Sequence, residues 1–436
     1  LDLTASYASQ RGLLAATGPA YWAELRNRAL QAYERVGLPN RKDEEFKYLN
    51  FHVLEGQEFG PAYGETVNRN ELPTLEGFGA FTLTFVNGQP APELGEAYAL
   101  PEGVFVGTLL EAADEIPDVV GRNLGQIATL EGKLGSSNDE RFTHLNTAHL
   151  SDGAVVYVGR GVQLETAIHL RFVSVARHGA LAVYPRVLIV LEEGASAKIL
   201  ESFVGLGGVS LTDTVTEISL GEGAVLEHTR WQDEGPEAAH FSTLAVTQAA
   251  SSVLTSNNVN YGGRLVRNDV NVWLAGEHTE TWLNGAAVGL GEQVVDNHTR
   301  IDHAMPNCNS FEVYKSILGD RATGVFNGKI FVYLDAQKTD AKQTNQAILL
   351  SPTATINTKP QLEIFADDVK CTHGATVGQL REDALFYLRS RGIPRDEARS
   401  LLVYAFAAEV LEKVSDPALR RALEARLFER LSEKAG

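Results

Sequence analysis

Cysteine is nearly absent from this chain. Two thiols, Cys308 and Cys371, stand among 436 residues, far apart and with no C-x-x-C. That argues against a disulfide framework and a cysteine-built zinc site. Packing as small apolar side chains is the plain use of two such residues. Basic residues are in deficit, with 38 Lys+Arg against 56 Asp+Glu and a formal net charge of −18. A surface of that sign repels phosphate backbones and anionic lipid, so no nucleic-acid partner and no membrane partner is expected. Long apolar runs are missing too, and none approaches the ~18 residues of a membrane span. Leu1-Asp2-Leu3-Thr4-Ala5-Ser6-Tyr7 has no basic stretch leading into an apolar one, so it does not read as a signal peptide. There is no initiator Met, and the sequence leaves open whether residues are missing before Leu1. The expectation is a cytoplasmic protein. The rest of the composition, 44% hydrophobic and 22% charged, is that of a globular chain with a sizeable core.

The chain changes character along its length. Trp22, Leu25, Ala29, Ala32 and Val36 recur at helical spacing, and Gly37 and Pro39 supply a stop. Arg41-Lys42-Asp43-Glu44-Glu45 reads as a solvated face or loop. Phe81, Leu83 and Phe85 alternate with threonines ahead of Asn87-Gly88, the pattern of a strand and a turn. From about residue 150 to 375 the helical period vanishes. Short runs such as Arg186–Leu191, Val215–Leu220 and Val270–Leu274 alternate with Gly, Asn and Asp, so many short strands are expected, and a doubly wound α/β fold is excluded. Leu318, Leu334, Leu350 and Ala366 follow one another at equal intervals, each ahead of a turn pair. Regular spacing suits a parallel β-helix whose stacked coils align inward apolar ladders. A sandwich or jelly roll is the alternative for the same strands. Helical spacing returns beyond residue 378, through Ala384–Arg389, Ala398–Lys413 and a third helix opened by Ser415-Asp416-Pro417. These helices need a surface to dock on.

Cys371 and His373 carry the clearest chemistry. Residues two apart on a strand face the same side, and a soft thiolate beside an imidazole suits iron, an iron–sulfur cluster, zinc or copper. Two ligands do not close a site, and a thiol and a histidine can also share a strand edge by chance. His298, His303 and Cys308 invite a metal reading, but five-residue spacing does not put all three on one strand face, so turn and stacking roles are expected. Trp231, Trp273 and Trp282 read as packing residues. Gly324-Val325-Phe326-Asn327-Gly328-Lys329-Ile330 is one residue short of a phosphate loop and lacks Ser or Thr after the lysine, so a turn between coils is expected there.

The run Ala366-Asp367-Asp368-Val369-Lys370-Cys371-Thr372-His373-Gly374-Ala375-Thr376-Val377-Gly378, with Leu385–Ile393 after it, resembles the C-terminal signature of the SufB/SufD family of iron–sulfur cluster assembly scaffold proteins. Its Lys-Cys-x-His-Gly form is similar to the SufD branch; the Glu-His-Glu-Ala and the N-terminal cysteine-rich segment of SufB are missing. Arg41–Tyr48, Leu145–His149 with Asp152-Gly153-Ala154, and Ala405–Glu409 agree, so the resemblance covers nearly the whole chain. It implies a mainly β chain, a right-handed parallel β-helix flanked by N-terminal and C-terminal helical domains. The expected boundaries are 1–145, 146–378 and 379–436. It implies a SufB-like paralogue as heterodimer partner and a SufC-like ATPase held by the C-terminal domain. A homodimer in isolation also fits. The implied role is scaffolding rather than catalysis: no catalytic residue is assigned, and ATPase activity belongs to SufC. His373, and less directly Cys371, would contribute to an interfacial iron or cluster site. No tightly bound cofactor is expected, only transient iron or a cluster; a flavin is associated with the family's complex, but nothing here forms a flavin fingerprint.

Two other functions compete. Parallel β-helices also carry polysaccharide lyases and hydrolases, which would need clustered carboxylates. Asp367-Asp368 is the one tempting pair, and strand neighbours point to opposite faces. The third reading is a purely structural β-helix kept for its interfaces.

Overall fold

The structure, a computed structural model, describes residues 12, 14, 16–40, 42–61, 64–134 and 140–432. The N-terminal heptapeptide and Arg41 lie outside the described residues.

Two ten-stranded sheets face each other as a β-solenoid of about 8 turns, with helices at both chain ends. From Ser210–Leu220 onward the chain alternates between the sheets, so each strand pairs in parallel with the strand two before it. In the first sheet Glu280, Asn309, Asp340 and Lys370 stand in consecutive register, which sets one coil at about 30 residues. The regular interval read from Leu318 to Ala366 is therefore half a coil. It marks corners rather than inward ladders, and Leu334 is 66% exposed. The true ladders lie two intervals apart. Antiparallel pairing joins Ala80–Val86 to Gln89–Pro90 across Asn87-Gly88, whose φ values of 49° and 79° suit a tight hairpin turn. Val104–Thr108 pairs antiparallel with Ala154–Val158. The sheets thus draw in strands from upstream of residue 146.

Parallel sheets need cover on both faces, and this chain supplies it from its two ends. The outer face of the second sheet carries Leu211, Ala239, Phe241 and Leu265, packed against Tyr33, Phe46, Leu54, Phe142 and Leu145. Here the expectation of a solvated face or loop over Arg41–Glu45 fails at Glu45, while Lys42 and Glu44 are exposed. Glu45 ion-pairs with Lys329 at 2.8 Å and with His298 at 3.3 Å, clamping the N-terminal segment to the solenoid. Burial pushes its carboxyl up, but His298 and Lys329 outweigh this and hold it at about 2. The outer face of the first sheet presents Leu200, Trp231, Val259, Tyr261, Val288 and Ile317, covered by Val403, Ala407, Leu411, Leu419, Leu423 and Leu427. The last of these helices, Pro417–Ser432, is capped by Asp416, whose carboxylate accepts from the backbone N–H groups of Ala418 and Leu419. The cover thins at the final strands, Thr355–Ile364 and Lys370–Gly378, whose residues are mostly half-buried or exposed. No helix among the described residues is long and apolar enough to cross a membrane.

Candidate functional site

Strand Lys370–Gly378 is the last of the first sheet and pairs with Asp340–Leu349. Cys371 stands opposite Ala341 and His373 opposite Gln343. Cys371 turns inward against the cluster of Ile330, Val332, Ala336, Ala341 and Ala366. By strand alternation His373 takes the same side, and it is exposed at the terminal strand. Burial pushes the Cys371 thiol up, the charge of Asp340 adds to this, and a backbone hydrogen bond at Ala341 opposes it. The thiol therefore keeps its proton at neutral pH, and a metal would have to displace that proton to bind. The pair offers one sulfur and one nitrogen. No group of three or more His, Cys, Asp or Glu side chains among the described residues could hold a metal ion. As donors, Cys371 and His373 fit half of a site whose other ligands must come from elsewhere.

The other candidates resolve into structure. His298 faces outward, 2.9 Å from Asp296 and within reach of Glu45 and Arg267. Burial and Arg267 push its imidazolium down, but Asp296 and Glu45 outweigh them and raise it. His303 faces inward, 2.9 Å from Ser310, and burial lowers it to about 3. Cys308 is fully buried with its Sγ 3.2 Å from the carbonyl of Gly276. Gly324–Ile330 is not a turn but the interior of strand Thr323–Val332. A Cβ at Gly328 would lie 2.1 Å from Nε2 of Gln343, so the glycine makes room for a side chain from the facing sheet. Lys329 is committed to Glu45. Trp231 packs under the C-terminal helices, Trp282 stacks on Phe311 at 4.3 Å, and Trp273 meets Tyr333 edge-on. Asp367 and Asp368 lie in a bend, with Asp368 paired to Lys338.

What the sequence reading missed is the polarity of the solenoid interior. Glu201 is fully buried and takes His228 at 2.8 Å, Thr216 at 3.0 Å from the facing sheet, and Arg230 at 3.8 Å. Burial pushes its carboxyl up, but these partners outweigh that and hold it below the ordinary value. Further along, Glu312 stands in register with Gln343, as Gln343 does with His373. Nε2 of Gln343 donates to Oε2 of Glu312 at 2.6 Å. Burial pushes Glu312 up to about 7, with Gln343 and the Thr299 hydroxyl opposing in part. One signal was available: Glu312, Gln343 and His373 recur at the coil period.

Comparison with known proteins decides the family. Residues 2–170 match the SufBD protein N-terminal region, and residues 172–406 match the SUF system FeS cluster assembly SufBD core domain. The chain belongs to the SufBD family. An iron–sulfur cluster assembly SufBD family protein of Synechocystis is 33% identical over 420 residues, which cover 93% of this chain and 90% of that one. The iron–sulfur cluster assembly protein SufD of Escherichia coli is 32% identical over 406 residues, 92% of this chain and 91% of its own length. The chloroplastic protein ABCI7 of Arabidopsis thaliana is 32% identical over 91% of this chain and 83% of its own. The SufD-like character read from the Lys-Cys-x-His-Gly run and the SufBD relatives agree. Both lead to iron–sulfur cluster assembly rather than polysaccharide cleavage.

Proposed function

We propose that the chain is the SufD-type scaffold subunit of a cytoplasmic cluster-assembly complex, and that it pairs with a SufB-like paralogue through its last coil. One observation carries this reading: the strand bearing Cys371 and His373 ends its sheet, with backbone groups free to pair along an edge. Phe365, Ile364 and Val377 are exposed at the same end and would be covered by a partner. Iron or a nascent cluster is then cargo. His373 and Cys371 supply some of its ligands, and the paralogue supplies the rest. In isolation the same edge can meet a second copy of the chain. The C-terminal helices bury one face on the solenoid and leave Phe386, 72% exposed, and Tyr387, 57% exposed, on helix Glu382–Ser390. We place the SufC-like ATPase there, with ATP chemistry entirely in that partner and no flavin assigned to this chain.

The test is co-expression with SufB-like and SufC-like partners, comparing the chain with His373→Ala. The expected result is an intact complex that no longer accumulates cluster. Unchanged cluster formation in an intact His373→Ala complex overturns the assignment of His373.

A further inference from the structure

The last coils bury more polar atoms than the protein satisfies. Oε1 of Glu312, Oε1 of Gln343 and Oδ1 of Asn345 have no hydrogen-bond partner, and each residue is at most 2% exposed. All three occupy inward positions. Glu312, Gln343 and Asn345 belong to the first sheet, and Thr299 faces them from the second. A buried polar atom left alone costs about 1–3 kcal/mol, so three in adjacent coils would weigh heavily on a chain of ordinary stability. Interior water, with two to four polar partners per molecule, is the usual remedy. Gly328 brings no side chain to the opposite layer, and the Gln343 amide reaches into the space it leaves, close to that layer.

Direction matters as much as polarity. Toward the chain start, the neighbour of Glu312 in register is Leu283, which closes the file with an apolar side chain. Toward the chain end come Gln343 and then exposed His373, two strand spacings or ~10 Å from Glu312. Gln343 spends its N–H on Glu312 and leaves its carbonyl for a further donor. Of the charged and titratable groups nearby, Tyr314 lies on the same strand as Glu312, and Arg230 lies further back in the next inward file. Neither forms an ion pair with Glu312.

We propose that the last coils hold a file of bound waters from Glu312, past Thr299 and Gln343, to the open end at His373, and that this file carries protons in and out of the solenoid interior. The proton that leaves the Glu312 carboxyl passes to water and out at the end; the return path restores the neutral acid. Use of these protons during cluster assembly rests on the scaffold reading, but the file itself does not.

Infrared difference spectra of the folded full-length chain across about pH 5 to 9 test it without metal or partners. A neutral-carboxyl band should disappear as pH rises through about 7, and Glu312→Gln should lack that band. This comparison separates Glu312 from Asp152, which burial raises to about 6. After a rapid pH jump, Gln343→Met should slow the band's change about tenfold, roughly 1.4 kcal/mol in barrier. Thr299→Val serves the same purpose should Gln343→Met not fold. A Glu312 band that does not titrate, or one that follows the jump at the wild-type rate in the folded variant, overturns the proposal. Neither result bears on cluster formation, so the scaffold function stands or falls separately.

Discussion

The two ends of the solenoid interior are built differently. In the first coils, Phe85, Phe172 and Phe203 stack at 5.3 and 5.2 Å between centroids, and two files further along the same face Ile168 stands in register with Ile199. Beyond these, the same files continue as Gln232 and Asn260, and as His228 and Ser256. The first coils are dry and shape-matched up to Glu201, the first buried charge of the interior, which follows Leu170 in register. The later ones are held by hydrogen bonds that cross between sheets, such as Arg230 to Ser242 at 3.1 Å and Asn268 to Asn260 at 3.2 Å. A solenoid sums local coil stabilities with nearest-neighbour terms. One molecule can therefore keep a robust end and a chemically adaptable end without compromise between them.

Truncation in the dry coils should cost most. Phe172→Ala removes the middle ring of the stack, and a loss of about 3–5 kcal/mol is expected in denaturant unfolding. A loss under about 1 kcal/mol would show that the aromatic file is not where stability concentrates. In the polar coils the sign reverses. The Glu312 carboxyl titrates at about 7 in the fold against 4.5 unfolded. Between those values the unfolded chain has shed a proton that the folded chain keeps. Its contribution to stability therefore declines as pH rises from about 4.5 to 7 and is level above. Relative to wild type, Glu312→Gln should gain about 2–3 kcal/mol at pH 8 and almost nothing at pH 4. An equal effect at both pH values would mean that burial does not hold the acid neutral.

Glycines sharpen the contrast further. A Cβ at Gly153 would lie 2.0 Å from the backbone carbonyl of Arg186, which cannot yield, whereas at Gly328 it meets only the movable end of Gln343. Thermal melts should show Gly153→Ala costing about 2–3 kcal/mol and Gly328→Ala about 1 kcal/mol. The reverse order would mean that the later interior is the more rigid. Last comes His373→Ala. As an exposed side chain on the final strand it should move stability by less than about 0.5 kcal/mol, so any defect in assembly is one of chemistry rather than folding.

The solenoid was legible because short β-rich runs and regular turns are local properties. Its pitch was misread by a factor of two, because consecutive strands contribute alternately to two sheets and the corner residues repeat as faithfully as the ladders do. Glu45 was read as solvated since its partners, His298 and Lys329, lie more than 250 residues away in sequence. The Cys371–His373 strand could be singled out from the spacing of its thiol and imidazole and from a family signature. Glu312 and Gln343 were passed over, since their recurrence with His373 shows only once the coil period is known, and polar residues on a strand read as outward-facing whereas here the inward positions are the polar ones.

The final strand also has a kinetic meaning. A coil with a neighbour on one side only is the first to open and the last to close in a stack of this kind. Hydrogen exchange along Lys370–Gly378 should therefore outpace that of the dry coils in the free chain and fall when a second protein adds a strand. Until then the two proposed ligands sit on a strand that is paired on one side only. Stray metal would gain little hold on them, and loading would be conditional on assembly.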